Sequence, residues 1–255
     1  TRPNSLESLP GNSPVGSRMA IMLGGAAARA GEKLKAKIMA IAAYRLGVAN
    51  DQIRYEGGDV LANDGRRFTW DEMVELAHRQ YHNLPDGMDP GLASFDIMQV
   101  PTGDALPVDD KVQMYPCYSF EFHLLLVSFD PIIGRPDIHS YVIGHDCGTV
   151  INPAIVSGMT YGGIAHGIGA ALFEEFAYDT NGQLLTQSFL DYLMPSSHEV
   201  PAIQIVKHCT PSPHTVFGQK GSGESGYLGA PAAVSGAIND AVAGLGIHFE
   251  KLPIR

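Results

Sequence analysis

The chain has 255 residues, enough for one large domain or two ordinary ones, and its 45% hydrophobic and 17% charged residues describe a well-buried globular protein. A formal charge of −10 with no cluster of Lys and Arg excludes a nucleic-acid or anionic-membrane surface. The longest apolar runs, such as residues 124–127, fall far short of a membrane span, and the first residues lack a signal peptide's basic start and apolar centre, so a soluble cytoplasmic protein is expected.

Residues 1–15 are rich in Pro, Asn and Ser and read as irregular; the chain opens on Thr1 instead of Met, which reads as a start inside something larger. The periodicity predicts a long helix over 19–47, with Leu34, Ile38, Ile41 and Leu46 on one side and Arg29, Glu32, Lys33, Lys35 and Lys37 mainly on the other. Ile53 to Glu56, Gly57-Gly58 and Asp59 to Leu61 predict a short hairpin. Thr69-Trp70-Asp71-Glu72 is a capping pattern that starts a helix running to about residue 81. Residues 83–112 carry recurrent Pro and Gly with few periodic apolar positions, a long connection that wraps a surface or reaches a partner.

Residues 118–130 alternate Phe120, Phe122 and Leu124 against Glu121 and His123, then turn through Pro131 to Gly134 into a second strand over 137–143. His123 and His139 read as ordinary strand histidines, paired or facing solvent, not as ligands. Asn152-Pro153 marks a helix start, with Asn as cap and Pro in the first turn, where unused N–H groups would suit an anion such as a phosphate. The helix, 154–176, contains Gly158, Gly162, Gly163, Gly167 and Gly169, each costing about 0.8–1.0 kcal/mol relative to Ala. Close approach of a backbone or a flat ligand, or tight helix packing, must compensate. A turn follows at 179–182, a short element at 188–193 and a strand at 203–209, stopped by Pro211 and Pro213. No internal repeat or flexible linker appears, and a division into residues 1–114 and 115–255 is expected. The three cysteines, Cys117, Cys147 and Cys209, form no C-x-x-C pair, so neither a zinc site nor an iron–sulfur cluster is encoded.

One stretch carries the chemistry: Gly218-Gln219-Lys220-Gly221-Ser222-Gly223-Glu224-Ser225-Gly226, a single carboxylate in a run of glycines, after which Tyr227 to Val234 leads into a small-residue, nearly uncharged helix over 235–242 that reads as internal. Such a loop can hold a Glu against something small and buried; a solvated surface loop is the alternative. Gly221-x-Gly223-x-x-Gly226 matches the dinucleotide fingerprint as a string, but Pro211, Pro213 and Pro231 separate the strand and helix that must adjoin it. A phosphate-binding P-loop fails because Lys220 precedes the glycines, and a nucleophile elbow fails because Tyr227 stands where Gly is required. A single Glu base survives.

In order along the chain stand Asp146-Cys147-Gly148-x-x-Ile151-Asn152-Pro153, the glycine helix from Gly158 to Glu175, Asp191-Tyr192, Thr210-Pro211-Ser212-Pro213-His214 and Gly218-x-Lys220-Gly221-x-Gly223-Glu224-Ser225. Together they resemble the C-terminal part of the molybdenum-binding subunit of the xanthine oxidase family, the molybdenum hydroxylases. They are most similar to the bacterial branch that includes aerobic carbon monoxide dehydrogenase large subunits. The resemblance covers residues 110–246, and Gly16-Ser17-Arg18 is similar to the family segment that lies along the pterin dinucleotide.

The resemblance implies an α+β molybdenum-cofactor-binding domain of mixed sheets and packed Gly/Ala-rich helices. It implies that Glu224 is the active-site base, taking a proton from molybdenum-activated water during oxidative hydroxylation of an N-heteroaromatic or aldehyde. Gln219, Lys220, Gly221 and Ser222 would line a molybdopterin cofactor, in its cytosine dinucleotide form. Gly16, Ser17, Asp146, Cys147 and Asn152 would contact or shape its dinucleotide site. No residue of the chain would ligate the metal, which the pterin dithiolene holds, and His166 stands where relatives often carry Gln. The family's segments on the other side of molybdenum are absent from these residues. A companion chain carrying that half is therefore implied, with iron–sulfur (2Fe–2S) and flavin (FAD) subunits and a dimer of the assembled unit. Carbon monoxide oxidation, a decayed non-catalytic subunit and a nicotinamide-dinucleotide domain are the alternatives.

Overall fold

The computed structural model describes Leu6 and residues 15–101, 107, 109–111 and 115–254. The chain divides into two compact units, Met22–Gln99 and Thr1–Ile21 with Val100–Arg255. The boundary expected near residue 115 thus lies inside the larger unit.

Helix α1 (Met19–Leu46) belongs to the smaller unit from Met22 onward and there turns Ile38, Ile41, Ala42 and Ala43 inward. They pack with Val60, Phe68, Met73 and Leu76 from an antiparallel sheet of β1 (Ile53–Glu56), β2 (Asp59–Ala62) and β3 (Arg67–Phe68) and from α2 (Trp70–His78). The capping box is present as expected: Glu72 N–H donates to Thr69 Oγ1 at 3.3 Å and Thr69 N–H to Glu72 Oε2 at 2.8 Å. The helix it starts stops at His78, short of residue 81, and Tyr81–Asn83 forms a separate 3₁₀ turn. The following connection wraps α1: Ser94 Oγ donates to the Ala30 carbonyl at 2.6 Å, and buried Asp96 pairs with Arg29 at 3.2 Å and Lys33 at 2.7 Å. The glycine at 25 is explained here, because a Cβ on it would lie 2.7 Å from the Met98 sulfur.

In the larger unit, β4 (Phe120–Asp130) pairs antiparallel with β5 (Arg135–Asp146), which pairs in parallel with β6 (Ile203–His208). The sheet is mixed, in the order β4-β5-β6. Helices α3 (Pro153–Leu172) and α4 (Ala230–Val242) cover one face, burying Ile164, Ile168, Ala171, Val234 and Ile238 against Tyr141 and Ile143. Each such aliphatic side chain contributes about 1.5–3 kcal/mol when fully buried. Helix α3 ends at Leu172, short of 176, because the N–H groups of Phe173 and Glu174 both fold back onto the Gly169 carbonyl. Residues 188–193 form turns without regular structure.

The first half of β4 is inverted relative to the usual pattern of apolar side chains facing a core, whereas Leu125 and Phe129 on the same face further along pack against the core. Glu121 and His123 face the interior of the unit, while Phe120, Phe122, Leu124 and Leu126 are 66%, 68%, 58% and 63% exposed. It is also an edge strand, hydrogen-bonded on one side only among the described residues. No helix among them is long and apolar enough to cross a membrane.

Candidate functional site

The site is assembled where the chain leaving β5 meets the glycine loop, both in the larger unit. Lys220 N–H donates to the Cys147 carbonyl at 2.8 Å and Thr149 N–H to the Gly218 carbonyl at 3.1 Å, so the two segments run side by side like short strands. Gly148, at φ 66°, is required by this contact: a Cβ there would lie 2.2 Å from the Gly218 carbonyl oxygen.

Asp146 ties the junction together. Its carboxylate accepts from Gly148 N–H at 2.8 Å, from Thr210 N–H at 3.2 Å and from the Thr210 hydroxyl, and Lys220 Nζ stands 3.4 Å away. Burial pushes the Asp146 carboxyl up, but the Thr210 and Gly148 hydrogen bonds and the Lys220 charge outweigh it and hold the carboxyl at about 2. Lys220 in turn donates to Thr210 Oγ1 at 2.7 Å. Asp146 and Lys220 are both buried, so this ionic cluster sits behind the loop instead of presenting charge to solvent. Burial also pushes the Cys147 thiol up, as suits an inert side chain.

Gly16 and Ser17 form a left-handed wedge, φ 66° and 55°, that enters the loop from its other side. Ser17 Oγ accepts from Gly223 N–H at 2.7 Å and Glu224 N–H at 3.2 Å. A Cβ on Gly221 would lie 2.6 Å from the Ser17 carbonyl oxygen, and one on Gly223 2.8 Å from Ser17 Oγ. Fully buried Gln219 is anchored within the larger unit, its Nε2 donating to the Ala20 carbonyl at 2.8 Å while its Oε1 accepts from Phe217 N–H at 3.0 Å.

Helix α3 supplies the wall. A Cβ on Gly163 would lie 2.2 Å from the Ser225 carbonyl oxygen, and one on Gly167 2.4 Å from the Ala230 Cβ. Backbone approach and helix packing therefore both offset the helix's glycine content. Gly158 and Gly162 face open space. His166 stacks on Tyr227 with ring centroids 4.5 Å apart, next to the turn closed by the Tyr227 N–H on the Glu224 carbonyl.

Beneath the loop lies a polar network on the inverted face of β4. Glu121 Oε1 accepts from Gly226 N–H at 2.7 Å, and its Oε2 lies 3.4 Å from His123 Nε2, whose Nδ1 bonds the Tyr141 hydroxyl at 2.7 Å. His145 Nε2 shares a hydrogen bond with Ser225 Oγ at 2.9 Å. His123, read from the sequence as an ordinary strand residue, is buried and paired.

These contacts leave Glu224 exposed at the loop's tip with its backbone held. The burial expected of it is not supplied by the described residues. Beside it, Ser222 Oγ is buried without a hydrogen-bond partner among the described residues. A buried hydroxyl left unpaired costs about 1–3 kcal/mol, so its placement in a wall of close-packed glycines suits a polar ligand atom.

The structure brings Gly16, Ser17, Asp146, Cys147, Gln219, Lys220, Gly221, Ser222 and Glu224 to one junction. Asn152 acts first as a helix cap: its Oδ1 accepts from Ala154 and Ile155 N–H, both at 3.1 Å. With Pro153 lacking an N–H, the anion site expected at this helix start has lost its donors, and Asn152 retains only its amide nitrogen for a ligand. The loop's N–H groups at 223, 224 and 226 are likewise taken, and α4 begins only at Ala230, so no pyrophosphate cradle of the nicotinamide type forms. Sequence reasoning missed Glu121, His145, Ser225 and Thr210 as parts of the site. For Glu121 the hint was a charged and an imidazole side chain alternating with aromatics in one strand, while Thr210 and Ser225 stood inside the family motifs without an assigned role.

Residues 3–201 match the family described as the molybdopterin cofactor-binding domain. The chain is 35% identical over 245 residues to the nicotine 6-hydroxylase large subunit of Paenarthrobacter nicotinovorans, covering 95% of this chain and 28% of that protein. It is 31% identical over 238 residues to the carbon monoxide dehydrogenase large chain of Hydrogenophaga pseudoflava, covering 93% and 28%. The chain thus spans about 28% of the length of these curated relatives. Among solved structures, quinoline 2-oxidoreductase of Pseudomonas putida 86 superposes with a TM-score of 0.76 at 32% identity, covering 98% of this chain and 30% of that one. Carbon monoxide dehydrogenase of Oligotropha carboxidovorans superposes with 0.79 at 29%, covering 98% and 29%. A shared domain match, shared sequence over nearly its whole length and a shared α+β fold make this chain a member of the molybdopterin cofactor-binding domains of the xanthine oxidase family.

Proposed function

We propose that the chain is the C-terminal molybdenum-cofactor-binding part of the catalytic subunit of a molybdenum hydroxylase, with Glu224 as the base. The observation that carries this reading is the exposed Glu224 on a loop pinned by Ser17, one residue from Gly223 and two from the unpaired buried hydroxyl of Ser222. That hydroxyl, and glycines 221 and 223 beside it, fit a polar cofactor edge. Ser222, Gly221 and the backbone of Gln219 and Lys220 would meet the pterin. Gly16, Ser17, Cys147, Asn152 and, from behind, Asp146 would shape the site of its dinucleotide, taken here as cytosine.

When bound, the cofactor supplies a two-electron acceptor and an acidified water. The chain supplies a carboxylate acceptor for the proton. Because Glu224 N–H is anchored on Ser17 Oγ, its backbone is fixed before substrate arrives and the carboxylate has few positions to search. Gly163 and Gly226 press the loop against α3 and exclude water from behind it.

The outer side of Glu224 would be closed by a companion polypeptide. The apolar outward face and single sheet neighbour of β4 support this, since a long hydrophobic edge strand needs a cover. With it we place an iron–sulfur subunit bearing 2Fe–2S clusters and a flavin subunit bearing FAD, the whole a dimer in the cytoplasm. The relatives named nicotine 6-hydroxylase and quinoline 2-oxidoreductase favour a small N-heteroaromatic substrate over an aldehyde. Carbon monoxide oxidation is the second reading, supported by the likeness to carbon monoxide dehydrogenase chains.

The test is the molybdenum content of the natively purified complex, with its chains identified by mass, followed by Glu224→Gln. Near one molybdenum per copy, and turnover lost in a variant that keeps the metal, is the expected outcome. A chain that purifies alone without molybdenum, or a molybdenum-loaded variant active within a few fold, would overturn the proposal.

A further inference from the structure

We infer that Glu121 and His145 are positioning residues that set Glu224 from beneath, by anchoring the two residues that follow it in the loop. The inference rests on Glu224 being the base. Glu121 Oε1 holds Gly226 N–H at 2.7 Å and His145 Nε2 holds Ser225 Oγ at 2.9 Å, so the two contacts fall one and two residues after Glu224. Ser17 grips the same segment from the other side, at the N–H groups of Gly223 and Glu224. The segment 223–226 is therefore held at four consecutive residues.

A purely structural role would be served better by apolar residues. The Glu121 and His145 side chains are only 15% and 2% exposed, and burying such groups costs more than packing a hydrocarbon of the same volume. What a carboxylate adds is a charge-assisted bond to a backbone N–H, about twice as strong as a neutral one. The geometry leaves the loop no second seat. Gly226 has φ 83°, and a Cβ there would lie 2.4 Å from the Thr160 carbonyl oxygen, so the segment is already in contact with α3.

The network is satisfied around one negative charge. Burial pushes Glu121 up, but hydrogen bonds from His123 and Gly226 outweigh it and keep the carboxyl below its usual range, hence ionised. Burial pushes His145 down, which leaves a neutral ring to bond Ser225. His123 bridges Tyr141 and Glu121, its Nδ1 hydrogen-bonded with the Tyr141 hydroxyl at 2.7 Å and its Nε2 lying 3.4 Å from Glu121 Oε2. The chain Tyr141 to His123 thus ends on the carboxylate that carries Gly226. These three side chains and His145 form no metal-binding group of three or more ligands among the described residues.

The experiment uses the assembled complex, with Glu121→Ala, Glu121→Gln and Ser225→Ala. Two quantities are read: amide hydrogen exchange of the segment 222–227, and kcat and KM separately. Glu121→Ala is expected to speed exchange in the segment about tenfold or more, the loss of a charge-assisted bond, and to lower kcat by a similar factor with KM little changed. Glu121→Gln, which keeps an oxygen for Gly226 N–H but not the charge, should recover part of both. Ser225→Ala should show a smaller change of the same kind, and it carries the test together with Glu121→Gln if the Ala variant does not assemble. Unchanged exchange in 222–227, acceleration spread equally along β4 and β5, or no rescue by Gln would each overturn the inference. Glu224→Gln is measured alongside. If that variant stays active while Glu121→Ala loosens the loop, the base assignment is what has failed; if it is inactive and the loop is unmoved by Glu121→Ala, the positioning assignment has failed.

Discussion

Replacing Asp146 by Asn in the assembled complex should be one of the more damaging single changes short of the aliphatic core. The carboxylate is 6% exposed and gathers two backbone N–H groups, the Thr210 hydroxyl and the Lys220 ammonium. Its carboxyl sits at about 2 against an ordinary 3.8, a difference worth about 2 kcal/mol of folding stability at neutral pH. Asn would keep an acceptor for one or two of the N–H groups but leave Lys220, itself 8% exposed, without its counter-charge. Breaking a buried pair from one side costs about 3–5 kcal/mol. Thr210 Oγ1 still accepts from Lys220 at 2.7 Å, so the lower end, about 3 kcal/mol, is expected. The native carboxyl is depressed below its unfolded value, so its contribution is complete above pH of about 4 and lost as pH falls toward about 2. Denaturant unfolding from pH 7 to pH 2, with exchange read at 146–149 and 208–221, would show a gap between the parent and Asp146→Asn that closes over that window. Adding Lys220→Met should restore part of the loss at pH 7. A penalty under about 1 kcal/mol at pH 7, or one that persists unchanged to pH 2, would refute an ionised, buried Asp146 as the tie between β5 and the loop.

Gly163→Ala should cost most of the activity, because its Cβ would stand 2.2 Å from the Ser225 carbonyl oxygen and 2.8 Å from Tyr227 N, forcing the loop off α3; steady-state kinetics with unchanged chain assembly would show it. Gly158→Ala meets nothing within 4 Å and should instead stabilise α3 by up to about 1 kcal/mol in thermal unfolding, unless the companion polypeptide or the cofactor covers that face, in which case molybdenum content falls. Ser17→Ala removes the acceptor for two loop N–H groups and should lower kcat several fold with faster exchange at 223 and 224, whereas unaltered exchange there would mean that the loop holds its shape without the wedge.

Much of the scaffold was legible in the residues because its signals are local. Thr69 and Glu72 are three residues apart and form their box wherever the chain goes; Asn152 caps α3 through the N–H groups of Ala154 and Ile155; the periodic Ile38 and Ile41 of α1 face the core. The glycine loop could likewise be identified as a place where something approaches closely, since its residue types have few other uses. The sequence alone thus determined element types, starts and the special loop. It carried the alternation of β4 but not which face turns inward, because a period of two is satisfied either way and the choice depends on what lies across the strand. The tertiary structure decided that Glu121 and His123 face in and Phe120 and Phe122 out, that Gly163 meets Ser225, and that Glu224 has a fixed backbone and an open side chain. Those outcomes rest on contacts between residues far apart in the chain, 80 positions for His145 and Ser225 and 206 for Ser17 and Gly223, and folding alone brings such pairs within hydrogen-bonding distance.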